Sequence, residues 1–143
     1  MKRIIAAVLL TACTISVAMA DPIADRQQLM KNVQAATKDG LAISRGATPF
    51  DAAKAKAVLQ VYIDASAKLP GQFPAGSDKG GTPPTAAAPK IWTDMAGFKT
   101  AAATFGADAK AAEAATDTAS FKTAFAKITA DCTSCHGDYR LKK

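Results

Sequence analysis

The 143 residues read as an all-α protein, a four-helix bundle with one long loop between its second and third helices. Three observations carry that reading. Alanine is abundant, aromatic residues make up only 6% of the chain, and Val and Ile are sparse, a balance that favours helix over sheet. Four stretches place apolar residues at three- and four-residue steps, each with helix-start or helix-stop chemistry at its ends. No stretch alternates with period two, and there is no internal repeat. The length suits one domain with a real core rather than two.

Residues 1–20 read as an export signal and residues 21–143 as the mature helical domain. Lys2 and Arg3 form the charged start, Ile4 to Val17 is apolar, and Ala18-Met19-Ala20 is a small-x-small cleavage site before Asp21. The run is too short for a membrane-spanning helix. A rival lies inside it, because Leu10-Thr11-Ala12-Cys13 resembles a lipoprotein box that would make Cys13 a lipid anchor. The apolar stretch before Cys13 is short for that, and the stretch after it stays apolar. Cleavage after Ala20 is therefore the preferred reading, and Cys13 then leaves with the signal. Export places the mature protein in the periplasm.

The first helix is expected to open at Asp21-Pro22, an N-cap acceptor followed by proline at the first helical position. Ile23, Met30, Val33, Thr37 and Leu41 share one face, and Gly46 stops the helix near Arg45, with Gly40 weakening it inside. The second helix is expected to start at Thr48-Pro49-Phe50-Asp51 with Thr48 as cap. Phe50, Ala57, Val61, Ala65 and Leu69 form its stripe, and Pro70 ends it. Leu69 to Pro89 is rich in Pro, Gly and small residues and reads as a loop without regular structure. Trp92 follows, expected to cover the end of the core. The third helix runs from Asp94 as cap to about Ala115, with Phe98, Ala101, Phe105, Ala109 and Ala112 inward. The fourth opens near Asp117 or Thr118, and Phe121, Phe125, Ile128, Cys132, Cys135 and Tyr139 recur along it as one unbroken seam.

That seam carries the chemistry. Cys132, Thr133, Ser134, Cys135 and His136 form C-x-x-C-H, the attachment pattern of a c-type haem. Each thiol adds its S–H across one vinyl group of the porphyrin, and the adjoining imidazole lies under the ring, where it can ligate the iron. A redox dithiol would normally follow a strand in a βαβ unit, and no such pattern is present. A structural zinc site needs four ligands, yet the chain holds no His other than His136 and no Cys beyond this pair and Cys13. Outside the signal the methionines are Met30, mid-helix on the apolar face, and Met95, beside a helix cap. On the residues alone, Met30 is an ordinary core methionine or a thioether donor to the iron. The formal charge is +6, of which Lys2 and Arg3 contribute two. That mild surplus, with the scattered lysines Lys122, Lys127, Lys142 and Lys143, suits docking to an acidic redox partner. No basic stripe interleaved with aromatics argues for nucleic acid, and no hydrolase triad or catalytic carboxylate pair argues for an enzyme.

These residues together resemble the class II c-type cytochromes, the cytochrome c′ and cytochrome c-556 group. The matching segments are Arg26-Gln27-Gln28-Leu29-Met30-Lys31, Phe73-Pro74-Ala75-Gly76-Ser77, Ile91-Trp92 with Phe98, Phe121 with Phe125, and Cys132-x-x-Cys135-His136-x-x-Tyr139-Arg140. The resemblance implies an antiparallel bundle, one haem c, His136 as proximal ligand, and Arg140 near the proximal side of the haem. It also implies that the residue four after Arg26, here Met30, faces the iron from the distal side. In the c-556 type a methionine there ligates the iron. In cytochrome c′ a bulky non-ligand leaves the iron open to nitric oxide or carbon monoxide. The expected function is a low-spin, His136/Met30-ligated carrier of single electrons; the alternatives are a gas-binding cytochrome c′ and a bundle that stores haem. A monomer and a homodimer are both compatible, since members of the group often pair through their first two helices.

Overall fold

The computed structural model describes residues 21–142. Residues 1–20, where an export signal with Cys13 is expected, and Lys143 lie outside the described residues. Helix α1 spans Pro22–Ser44, α2 Ala52–Lys68, α3 Lys90–Thr93, α4 Met95–Ala111 and α5 Thr118–Tyr139. The four bundle helices are α1, α2, α4 and α5, packed in a ring: α1 on α2, α2 on α4, α4 on α5 and α5 back on α1. Short connections make α1/α2 and α4/α5 antiparallel neighbours, and the long connection crosses from α2 to α4. The described residues form no strand, and only an isolated bridge joins Ala87 to Arg140.

The helix starts follow capping chemistry. Asp21 accepts from the amides of Ile23 at 2.9 Å and Ala24 at 3.1 Å. Asp117 accepts from Ser120 N at 2.7 Å while Ser120 Oγ accepts from Asp117 N at 3.2 Å, closing a capping box at α5. At α2 the expectation is corrected: the cap is Asp51, which accepts from Lys54 N at 2.8 Å, and Thr48 and Pro49 lie outside the helix. The stripe expected on α2 holds in part: Ala65 is buried and Phe50, Val61 and Leu69 pack against the core, but the centre of the buried face is shifted. Ala55, Val58, Leu59, Tyr62 and Ala65 are buried, whereas Ala57 is exposed. Tyr62 sets that face: its ring is buried and its hydroxyl donates to Thr37 Oγ1 on α1 at 3.1 Å. Pro70 does not stop the chain at once, because Leu69–Gln72 continues as a 3-10 turn. Helix α4 ends at Ala111 and tightens into a 3-10 turn over Ala112–Ala114, a little before the expected Ala115.

The core has two parts. The larger contains Leu59, Tyr62, Ala109, Phe121, Phe125 and Ile128, all but closed to solvent. The smaller, at the end where α5 finishes, gathers Ile91, Phe98 and Tyr139, with Phe73, Trp92, Met95 and Cys135 packed against it. Phe98 meets Phe73 and Tyr139 edge-on, with ring centroids 4.9 and 5.3 Å apart. Trp92 therefore covers the end of the core as expected, from the short helix α3. Asp94, the cap of α4, accepts from Gly97 N at 3.0 Å and from the Tyr139 hydroxyl at 3.0 Å, joining the start of α4 to the end of α5.

Gly40 is more than a weak point in α1. It is buried against Phe125, and a Cβ there would stand 2.6 Å from Phe125 Cζ. Substituting Gly40→Ala gains helix propensity of about 1 kcal/mol but overpacks a rigid ring, which costs about 1–3 kcal/mol. A net loss of stability is expected in denaturant or thermal unfolding, and a gain would show that α1 can move away from α5 freely.

The Asp94 staple predicts a pH dependence. The Gly97 amide, and then the Tyr139 hydroxyl, hold the Asp94 carboxyl below its ordinary range, partly opposed by desolvation. A depressed folded pKa gives stability that is present above the unfolded value of about 4 and is lost as pH falls through the folded one. Unfolding curves of the protein and Asp94→Ala should differ by a constant amount from neutral pH down to about pH 5 and converge below about pH 4.

Candidate functional site

Helix α5 positions the motif by its own register. Cys132 and Cys135 are both half-buried on the seam that carries Phe121, Phe125 and Ile128 inward. Residues 132 and 136 are one turn apart, so His136 stays near the cysteines but at the edge of the seam, and its side chain is exposed. It lines a cleft of about 380 Å³ with Arg140, Leu141 and Lys142. The three residues are thus together at the last turns of α5, with Arg140 beside His136.

Their electrostatics separate the possible chemistries. No disulfide joins the two cysteines. Burial pushes the Cys132 thiol up, with Asp131 and then Cys135 adding, and burial also raises Cys135, with Asp138 and then Asp131 adding. A redox C-x-x-C pair works through a lowered thiol pKa, usually at a helix N-terminus. Here the pair lies late in a helix, among carboxylates, and stays protonated. Among the described residues no three His, Cys, Asp or Glu side chains gather as a metal site. The partial desolvation of the His136 ring, and then the Arg140 cation, lower its pKa. The imidazole is therefore neutral near pH 7 and has a lone pair to donate. Two protonated thiols one helical turn apart and a neutral imidazole beside them fit a thioether-linked haem with a histidine ligand.

Around the motif the structure places residues that sequence reasoning left unassigned. Tyr62 of α2 is buried in the same core that α5 lines, and its phenol is pushed up to about 12, mainly by burial, against the Thr37 hydrogen bond and with Asp39 adding. Asp131, directly before Cys132, is raised by burial and by Asp108 of α4, and no described partner reaches its buried Oδ2. Neither role carries a local sequence signal; only the juxtaposition of helices reveals it.

The two methionines differ in surroundings. Met30 is half-buried on α1, and α1 packs directly on α5. It lies four residues after Arg26, so the two share a side of the helix. Met95 is packed against the same Ile91, Phe98 and Tyr139 cluster as Cys135, nearer the motif than its place beside a cap suggested. Arg26 itself is buried, and the loop folds around its guanidinium. Of the lysines put forward as partner contacts, Lys122, Lys127 and Lys142 are exposed. A separate groove of about 650 Å³ runs between α1 and α2, lined by Ala36, Ile43, Val58 and Val61 among others, with no residue of α5. It is not part of the motif's surroundings.

Comparisons with known proteins give the family of the chain. A family model described as Cytochrome C′ matches residues 21–140. A cytochrome c′ of Rhodopseudomonas palustris is 40% identical over 129 residues, 90% of this chain and 87% of the relative. A cytochrome c-556 of Agrobacterium fabrum is 40% identical over 146 residues, 100% of this chain and 97% of the relative. Among solved structures, cytochrome c′ from Rhodopseudomonas palustris superposes with a TM-score of 0.82 at 41% identity, over 87% of this chain and 99% of that one. Oxidised cytochrome c556 of the same organism gives 0.74 at 28% identity, over 86% of this chain and 98% of that one. Relatives of both names therefore match along nearly the whole domain. The chain belongs to the cytochrome c′ family of four-helix-bundle proteins, whose cofactor is one covalently attached haem c.

Proposed function

We propose that this protein is a periplasmic carrier of single electrons, with haem c attached through Cys132 and Cys135 and iron held between His136 and Met30. When bound, the haem supplies reversible one-electron exchange at its iron. The protein's own residues do the rest. The two thioethers hold the ring against α5. His136 donates from a neutral imidazole. Met30 offers a soft, neutral thioether, which favours the ferrous state and raises the reduction potential. The observation that carries this reading is the direct packing of α1 on α5, which brings the Met30 helix to the motif helix. Export of residues 1–20 would deliver the chain to the periplasm, and no described helix is long and apolar enough to cross a membrane. Exposed Lys122, Lys127 and Lys142 offer a cationic surface to an acidic redox partner. Nothing in this reading requires an enzymatic step.

A second reading is favoured by the cytochrome c′ relative that matches at the same 40% identity as the c-556 relative. In it Met30 packs without ligating, and the open iron binds nitric oxide or carbon monoxide. The reduced optical spectrum separates the two. A His136/Met30 haem gives a sharp low-spin α band that carbon monoxide scarcely alters. Met30→Ala should broaden that band and admit the gas, whereas Met95→Ala should leave it sharp. A broad band and ready gas binding in the unmodified protein would overturn the carrier reading in favour of gas capture.

A further inference from the structure

The connection between α2 and α4 has no periodic sequence, yet it is tied down at two distant places. One is α1. Arg26 Nη1 donates to Gln72 O and to Ser77 Oγ, each at 3.1 Å, and Nη2 donates to Ser77 O at 2.6 Å and Thr85 Oγ1 at 2.7 Å. The guanidinium also lies 4.7 Å from the Phe73 ring centroid and 5.9 Å from that of Trp92. Gln27 Nε2 adds a bond to Pro83 O at 2.8 Å, and Ile23 lies under Gly81. The second anchor is the end of α5. Ala88 N donates to Tyr139 O at 3.0 Å, and Leu141 N donates to Ala86 O at 2.8 Å. Thr85 is the joint between the two anchors: its Oγ1 accepts from Arg26 and also from Ala87 N at 3.2 Å.

We propose that residues 72–88 form a brace from the Met30 end of α1 to the His136 end of α5. In it Arg26 and Thr85 are positioning residues that set how closely α1 approaches the haem. The strap reaches α1 one turn before Met30 and reaches α5 at the residues flanking Arg140, three to five after His136. It therefore spans the two elements that bear the candidate axial ligands, from outside the bundle core. Its rigidity comes from a charged donor held by four oxygens, not from helix or sheet. The Met30 part of this inference rests on the proposed ligation; the mechanical part does not.

Thr85→Val tests the brace, because it removes the acceptor and keeps the shape, while Thr85→Ser keeps the oxygen. In the haem-loaded protein, Thr85→Val should speed hydrogen exchange at the Ala88 and Leu141 amides by about tenfold or more, the order expected for losing one hydrogen bond to a charged donor. It should also speed carbon monoxide binding to the reduced protein by a similar factor, and Thr85→Ser should restore both. Unchanged exchange in Thr85→Val overturns the brace. Faster exchange with unchanged gas binding, in a protein whose own α band is sharp, overturns the positioning role and leaves a strap with no hold on the iron. If the unmodified protein is broad-banded and binds the gas freely, Met30 ligation fails, and exchange at Ala88 and Leu141 alone decides the brace.

Discussion

Arg26 is a cation held at 5% exposure with no carboxylate paired to it among the described residues. Desolvation lowers its pKa, partly opposed by Asp21, but a guanidinium stays charged in any protein. Burying an ion without a counterion costs several kcal/mol. Here the cost is offset by four hydrogen bonds from a charged donor, each worth about 1.5–3 kcal/mol, and by two aromatic faces. All four bonds go to the long connection. The loop is thus ordered by one side chain of α1, and the aromatic cluster of Phe73, Trp92, Phe98 and Tyr139 is built onto the other side of the same loop. Remove the guanidinium, and the cluster that backs Cys135 loses the wall that holds Phe73 and Trp92 in place.

The motif gains its chemistry from the same arrangement. Cysteines at a helix N-terminus or beside a cation would ionise and oxidise more readily. Half-buried beside Asp131 and Asp138, these two stay protonated. The imidazole next to them is neutral because it is partly desolvated and lies beside Arg140. Helix α5 therefore presents two quiet thiols and one donor nitrogen, while its Phe121, Phe125 and Ile128 fix it in the core one to three turns earlier. Gly40 lets α1 come close at Phe125. Close approach of these two helices is the geometric condition for a ligand from α1 to reach iron bound on α5.

Much of this was legible in the sequence, and the exceptions have physical reasons. Asp21, Asp94 and Asp117 announce their helices because an acidic acceptor before an apolar run has few other uses. The start of α2 was misplaced because Thr48-Pro49 and Asp51 are both good caps, and only the bond from Lys54 N chooses between them. The face of α2 was drawn through Ala57 and not through Val58, Leu59 and Tyr62 because its alanines carry no phase, and because Tyr62 is buried while satisfying its hydroxyl on Thr37. The loop was illegible for a different reason. Its order comes from a residue 46 to 59 positions earlier in the chain, and no local pattern encodes such a bond. The C-x-x-C-H motif was plain, but the neighbours Tyr62 and Asp108 could be found only once α2 and α4 stood against α5.

The central claim is that α1 and α5 together enclose one iron, with a nitrogen from the last helix and a sulfur from the first. X-ray absorption at the iron edge of the reduced, haem-loaded protein tests it most directly. The account predicts one sulfur in the iron's first coordination shell, lost in Met30→Ala and kept in Met95→Ala. A shell of nitrogen alone in the unmodified protein, or a sulfur that survives Met30→Ala, would contradict it.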